Sequence, residues 1–367
     1  NMALQCGIVG LPNVGKSSLF NALTESSVPA ENYPFCTIDP HLGIVELPDQ
    51  RLIELNNIYN PKKLTSATVE FTDIAGLVKG ASAGEGLGNQ FLGQIRETSA
   101  IIHVVRCFEN ENINHVNGKI NPVRDVEIIE TELLLSDISR LEKKKEKLAR
   151  SAKSGNKEDK NSLELIDSLI DYCSSGKSAR TYDIDTDLIS FKKSLHLLTD
   201  KPVLYIGNLG ENDLINNRVS DHRMRLTDHV KNQNNNIIYL CASLEQEISL
   251  LDKNEQKLYL SEYNLDEPGL NKVIRSSFDL LGLHTFFTCG EKEVRSWTIQ
   301  KGMKAPQAAG QIHSDFERGF IKAEIFNYKD IIQYKSESKL RDLGLIKQEG
   351  RNYIVEDGDC IYFKFNV

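Results

Sequence analysis

The stretch Gly10-Leu11-Pro12-Asn13-Val14-Gly15-Lys16-Ser17 has the form G-x-x-x-x-G-K-S, and its surroundings decide how it is read. An apolar run, Cys6-Gly7-Ile8-Val9, precedes it and reads as a buried strand. Ser18-Leu-Phe-Asn-Ala-Leu23 follows, with apolar residues at 19, 20 and 23 that suit a helix packed on a sheet. Strand, glycine-bearing turn and helix N-terminus in that order form a phosphate cradle. Backbone N–H groups turn toward the phosphates, and the helix dipole adds positive charge. In such a cradle Asn13, Val14, Gly15, Lys16, Ser17 and Ser18 wrap the phosphates. Lys16 reaches the β/γ-phosphates and the Ser17 hydroxyl ligates magnesium. The expected ligand is a nucleotide.

Working outward, strand-like runs at Val69–Asp73, Ile101–Val105, Val203–Gly207 and Ile237–Cys241 alternate with helical patterns. That alternation implies an α/β fold, with a mostly parallel sheet covered by helices on both faces. It breaks between about residues 124 and 198. There Leu134, Ile138, Leu141 and Leu148 keep one apolar face, and Leu163, Ile166, Ile170 and Cys173 keep another. The polar stretch 151–160 between them has nothing to bury, so an antiparallel helical hairpin is expected. The charge run Glu142-Lys-Lys-Lys-Glu-Lys147 would lie on its outer face, as solvated surface or as an RNA or ribosome contact. After about residue 282, short β-like segments at 294–299, 321–325 and 360–365 and one helix near 306–314 read as a separate α+β domain. The expected division is a nucleotide domain of residues 1–123 and 199–282, a helical insertion of 124–198, and a C-terminal domain of 283–367.

Composition narrows the function classes. Hydrophobic residues at 40% and charged residues at 26% are ordinary for a globular protein of 367 residues. No apolar run approaches membrane-spanning length and no signal-type start is evident, so neither a membrane partner nor export is expected. Seven scattered cysteines without a C-x-x-C pair fit reduced thiols and a cytoplasmic setting. A formal net charge of −8 gives no general pull toward nucleic acid, so any RNA contact must come from a local patch. The sequence does not fix the oligomeric state, and a monomer is the default.

Further residues complete a candidate site. Asp73-Ile-Ala-Gly76 is D-x-x-G at a strand end; its Asp would hold magnesium through water, and the Gly76 N–H would sense the γ-phosphate. Thr37, in the intervening loop, would complete the metal shell. At the base position GTPases carry N-K-x-D, whose Asp takes two hydrogen bonds from guanine. This chain has Asn208-Leu209-Gly210-Glu211. Leu209 replaces the Lys beneath the base, and the extra methylene of Glu211 displaces its carboxylate. An unpaired buried donor costs about 1–3 kcal/mol, so guanine selectivity is expected to be lost or much reduced. Adenine would instead be held by Asn208 and nearby backbone. Ala242 and Ser243, in Cys241-Ala-Ser-Leu-Glu245, would back the purine with their N–H groups.

Leu77 stands where Ras-like enzymes place the Gln that orients water, so another group must act there or hydrolysis is slow. One candidate is His115, in a polar loop after a core strand. Another is the side-chain oxygen of Asn13, which would hold potassium beside the α- and γ-phosphates, where an arginine finger acts. Cys36, near Thr37, reads either as a redox switch or as a buried thiol.

Taken together, these departures resemble the YchF family of Obg-like ATPases. The resemblance rests on Gly-Leu-Pro-Asn-Val-Gly-Lys-Ser17, Tyr33-Pro-Phe-Cys-Thr-Ile-Asp-Pro40, Asp73-Ile-Ala-Gly-Leu-Val-Lys-Gly-Ala81, Arg106-Cys-Phe-Glu-Asn110 and the N-x-x-E turn, and it spans essentially the whole chain. Trp297–Phe320 resembles the family's TGS signature. The resemblance implies a GTPase-type domain with a coiled-coil insertion and a C-terminal TGS domain of β-grasp fold. It also implies slow hydrolysis of ATP in preference to GTP, ribosome association, and a role in translation or stress. It implies that His115 is catalytic. Gly210, where the family more often has Ser or Asp, departs from the pattern and loosens the turn presenting Glu211. The alternatives are a GTPase or dual-specificity enzyme, and a nucleotide-gated ribosome- or RNA-binding module whose hydrolysis is incidental.

Overall fold

The computed structural model describes residues 4–25, 41–74, 87–109, 120–152, 157–216 and 218–366. The chain packs as two compact units, Asn1–Gly43 with Glu70–Val273, and Ile44–Val69 with Ile274–Val367. In the first unit β1 (Gln5–Val9) leads into α1 (Lys16–Glu25). Within β2 (Leu42–Glu46) the chain leaves for the second unit, where it forms α2 (Gln50–Tyr59) and β3 (Lys63–Thr65). It returns within β4 (Thr68–Asp73) and continues as α3 (Leu87–Glu97) and β5 (Ala100–Arg106). Next come α4 (Pro122–Ala152), α5 (Lys157–Ser174), α6 (Ile189–Ser194), β6 (Val203–Asn208), α7 (Glu211–Ile215) and α8 (Asp221–Asn232). The unit closes with β7 (Asn236–Leu240), α9 (Ala242–Ser249), α10 (Lys253–Glu262) and the start of α11 (Gly269–Leu280).

The strand order is β2-β4-β1-β5-β6-β7, and β1 pairs in parallel with β4 and β5, as β5 does with β6 and β6 with β7. β5 and β6 are buried along their whole length, the mark of central strands covered on both faces. The chain passes from one side of β1 (β4) to the other (β5), so a crevice opens at the carboxyl ends of these strands. Register places Asp73 opposite Ile8, and Arg106 opposite Asn208.

His103 lies at 3% exposure within β5, its ring 5.2 Å from that of Tyr205. Burial, with Arg180 nearby, pushes its pKa down to about 3. It is therefore neutral when folded and takes up a proton on unfolding, so it costs stability as pH falls from about 6.5. His103→Gln is expected to narrow the loss of unfolding free energy between pH 6 and 4 by on the order of 1–2 kcal/mol. Urea titrations at the two pH values would measure this, and an unchanged gap would refute it.

The helical insertion is a hairpin of the 31-residue α4 and α5. Its core holds Leu134, Leu141, Ile166 and Cys173, with Ile138, Leu148 and Ile170 packed against it, all anticipated from spacing. On α5 the stripe is rotated from the expected one: Leu165 and Leu169 are buried and Leu163 is outside this cluster. The reason is that α5 also faces Ala179, Leu195 and Leu197 of the returning chain. Asp137 anchors that return, its carboxylate accepting from the Leu198 and Thr199 N–H groups (2.7 and 2.8 Å) and from the Thr199 hydroxyl (2.8 Å).

The second unit adds β8 (Leu283–Thr288), β9 (Glu293–Gln300), α12 (Ala305–Ile312), α13 (Ser314–Arg318) and β10 (Phe320–Asn327). It ends with α14 (Tyr328–Tyr334), α15 (Glu337–Asp342), β11 (Lys347–Glu349) and β12 (Asp359–Phe365). Its sheet runs β11-β10-β12-β8-β9-β3, mixed in direction. Alternating residues divide between two cores. Phe286, Ile325 and Ile361 pack with Ala305, Ala308 and Ala309 of α12. Phe287, Phe326 and Cys360 pack with Leu52 and Leu55 of α2, Ile331 of α14 and Leu340 of α15. Residues 44–69 thus complete the second unit, whereas the sequence division placed them in the nucleotide domain. Arg51 fixes this arrangement through Asp49, Asp357 and Thr285.

Candidate nucleotide site

The loop after β1 is shaped by two residues in the left-handed backbone region, Asn13 (φ 63°) and Gly15 (φ 94°). Gly15 has two reasons to lack a side chain: that φ, and a Cβ that would lie 2.1 Å from Asn208 Nδ2. α1 then starts at Lys16, with the Leu19 N–H donating to the Gly15 carbonyl at 3.0 Å. Leu19, Phe20 and Leu23 are buried beneath it, as the spacing predicts. Lys16 is nearly buried, and its ammonium pairs with Asp73 Oδ1 at the end of β4. Ser17 is exposed in the first turn and Ser18 half-exposed. The loop, the lysine and the D-x-x-G aspartate are thus brought together.

Magnesium fits the donor set. Ser17 supplies a hydroxyl and Asp73 a carboxylate, hard oxygen ligands that leave most of an octahedral shell to phosphates and water. Among the described residues no cluster of three or more His, Cys, Asp or Glu could hold a metal by itself. Thr37, Gly76 and His115 lie outside the described residues, as do Cys36 and Leu77.

At the base end Asn208 is 4% exposed and acts as a clamp. Its Nδ2 donates to the Val14 carbonyl at 2.9 Å, and its Oδ1 accepts from the Ala242 N–H at 2.9 Å. It joins the phosphate loop to the start of α9, so one of the two lone pairs of its acceptor oxygen is already engaged. Leu209 is buried at 2% exposure, its N–H donating to the Leu240 carbonyl at 2.8 Å. Glu211 opens α7, is exposed, and its Oε1 accepts from the Tyr263 hydroxyl at 3.3 Å. Ala242 is buried and Ser243 exposed at the N-terminus of α9. Buried Glu245 accepts from the Gly269 and Leu270 N–H groups (2.8 and 3.1 Å) and ties α9 to α11; burial pushes its carboxyl above the usual range against those two bonds.

These elements enclose an open cleft of about 1480 Å³ that runs from Asn13, Lys16 and Ser17 to Asn208, Glu211 and Ser243. Phe108, Arg218 and His222 also line it, and the sequence reading assigned them no role. Phe108 follows β5 and is held by Arg106, whose guanidinium lies 4.5 Å from the ring centroid and whose Nε donates to the Phe108 carbonyl at 3.1 Å. The quoted Arg-Cys-Phe-Glu-Asn motif contains this pair, but its role depends on a strand end meeting β6, which spacing does not reveal. The cleft has room for a nucleotide, with the phosphate-loop residues, Phe108 and the start of α7 in its lining.

Comparison with known proteins bears on the fold and the family. Residues 5–149 match a family described as "50S ribosome-binding GTPase", and residues 283–366 match the YchF-type GTPase C-terminal family, described as a "Protein of unknown function". The chain is 47% identical over 366 residues to the "Ribosome-binding ATPase YchF" of Bacillus subtilis (strain 168), covering 100% of both chains. The chain belongs to the YchF family. The namesake ATPase of Escherichia coli O157:H7 is 48% identical, again over the full length of both. The solved structure titled "Structure of the Schizosaccharomyces pombe YchF GTPase" is 38% identical, with a TM-score of 0.90 over 99% of this chain and 98% of that one. The P-loop GTPase-type fold with its C-terminal domain is therefore established for this YchF member. The relatives' titles differ over the purine, which gives the residues at 208–211 their interest.

Proposed function

We propose that this chain is a ribosome-associated ATPase, a slow nucleotide-dependent switch that hydrolyses ATP to ADP and phosphate in translation or stress regulation. The observation that carries the choice of ATP is the base end of the cleft. There Glu211 replaces the guanine-reading aspartate and Tyr263 engages its carboxylate, while Leu209 is buried. The names of the bacterial relatives support both the ATP and the ribosome. Lys16 and the N–H groups from Asn13 to Ser18 hold the phosphates. Ser17, Thr37 and Asp73 share the magnesium, which when bound offsets charge on the β- and γ-phosphates. Gly76 would sense the γ-phosphate, and the side-chain oxygen of Asn13 would hold a potassium ion, whose charge would act where an arginine finger does. His115 positions the water that attacks the γ-phosphorus as the bond to ADP breaks. Asn208, Leu209, Glu211, Ala242 and Ser243 frame the base. The chain acts as a monomer in the cytoplasm, with residues 283–367 as a TGS-type domain; GTP binds more weakly.

Phosphate release from ATP tests the roles. His115→Ala is expected to abolish turnover with ATP affinity within about threefold of wild type (roughly 0.7 kcal/mol), whereas Lys16→Ala loses both. Surviving turnover in His115→Ala would remove that residue from the mechanism. Ribosome co-sedimentation adds a second arm. Nucleotide-independent binding by Lys16→Ala would favour the binding-module alternative.

A further inference from the structure

The charge run of α4 divides between two faces. Lys145 reaches across to α5, its Nζ 2.6 Å from Asp167 Oδ1. Lys143, Lys144 and Lys147, with Arg140 just before the run, instead line a groove of about 720 Å³ among α4, α3 and the chain at 194–197, to which α3 contributes Arg96. Positions 136, 140, 143 and 147 repeat at 4-3-4 spacing, one helix face. Five cations therefore meet with no acidic residue in the lining; the rest is hydroxyl, amide and apolar. Asp137, the carboxylate whose charge acts on Arg96, accepts hydrogen bonds from the Leu198 and Thr199 N–H groups and the Thr199 hydroxyl. Both arginines are fixed in place. Arg140 Nε donates to the Leu195 carbonyl at 2.7 Å, and Arg96 Nη2 donates to the Ser136 hydroxyl at 3.3 Å. The buried Nε of Arg96 meets no acceptor among the described residues. Burial and the neighbouring Arg140 both lower its pKa, the signature of a cation held where an anion would relieve it.

Hydrogen-bonded guanidiniums and exposed lysines suit a ligand with several adjacent negative charges, because guanidinium matches phosphate oxygens in pairs and ammonium adds point charge. A single carboxylate would leave most of these cations unmatched. We propose that this groove is a second anion site, separate from the nucleotide cleft, that takes a chain of closely spaced phosphates. RNA backbone and inorganic polyphosphate both present that chemistry. The site answers the requirement set by the net charge of −8, that any such contact be local.

The test uses the full chain without nucleotide, so it stands or falls independently of the ATPase reading. Binding of a short fluorescent RNA hairpin is measured against salt, with inorganic tripolyphosphate as a competitor. Lys143→Ala/Lys144→Ala/Lys147→Ala is expected to weaken binding at least tenfold and to lower the slope of log K against log salt by about two, given roughly 0.7–0.9 per neutralised phosphate. Lys145→Ala, from the same run but the other face, is expected to stay within twofold. Displacement of the hairpin by tripolyphosphate would show that a compact phosphate chain fills the groove. Failure to displace it, with the triple variant impaired, would assign the site to RNA backbone. The proposal is overturned if the triple variant binds like wild type, if Lys145→Ala loses as much as the triple variant, or if the wild-type chain binds neither probe.

Discussion

Asn208→Ala is expected to destabilise the first unit by about 2–5 kcal/mol and to weaken nucleotide binding by at least tenfold (about 1.4 kcal/mol). The side chain makes two buried hydrogen bonds, to the Val14 carbonyl and from the Ala242 N–H, each 2.9 Å. Removing it leaves both backbone groups orphaned, at about 1–3 kcal/mol each. It also leaves a void against Gly15, whose backbone conformation is set close to Asn208 Nδ2. The phosphate loop would lose the support that keeps its N–H groups convergent. Asn208→Asp keeps the acceptor for Ala242 but turns a carboxylate toward the Val14 carbonyl, so it should be at least as damaging. Chemical denaturation and nucleotide titration of both variants measure the two effects. A loss below about 0.5 kcal/mol in Asn208→Ala would mean that the clamp contributes little.

The other large effect lies in the second unit. Arg51 forks onto Asp49 (2.9 and 2.8 Å), reaches Asp357 at 2.6 Å and Thr285 at 2.8 Å, and lies over the rings of Phe287 and Tyr328 at 5.3 and 5.5 Å. Burial alone would lower its pKa, but the bonds to Asp49 and Asp357 outweigh that and raise it. Arg51→Ala strands Asp49, which also caps α2, and is expected to cost about 3 kcal/mol. Arg51→Lys keeps the charge without the fork and should recover less than half. Asp357 supplies a pH signature. Burial would raise its pKa, but the Thr285 N–H and Arg51 lower it below the usual carboxylate value. Its contribution is therefore present above about pH 4 and lost as pH falls through the lowered value. Trp297, the sole tryptophan, lies in this unit, so its fluorescence during urea unfolding reads the effect directly. Equal stability of wild type and Arg51→Ala would contradict this account of why residues 44–69 join the second unit.

These two arginine and asparagine sites show where sequence reading stops. The phosphate loop was legible because its information is local: glycine spacing, one lysine, a strand before and a helix after. The parallel sheet and the hairpin core at Leu134, Leu141, Ile166 and Cys173 were legible for the same reason, since period and burial coincide there. What escaped depends on partners distant in sequence. Leu165 and Leu169 are buried by residues near 195, β3 pairs with β9 across more than two hundred residues, and Arg51 meets Asp357 at a separation of 306. The motif makes Asn208 a candidate site residue, but its commitment to Val14 and Ala242 needs the folded register of β6 with β7. The division of Lys143, Lys144 and Lys147 from Lys145 was likewise hidden in what reads as one charge run.

The measurement that tests the central claim most directly is equilibrium binding of ATP and of GTP, each with magnesium, to one preparation by calorimetry. The account expects ATP to bind tighter by about tenfold or more, roughly 1.4 kcal/mol, because Glu211 does not offer guanine its paired acceptors. Tighter binding of GTP would mean that Glu211 leaves Tyr263 and reaches the guanine edge, and would contradict the ATPase assignment.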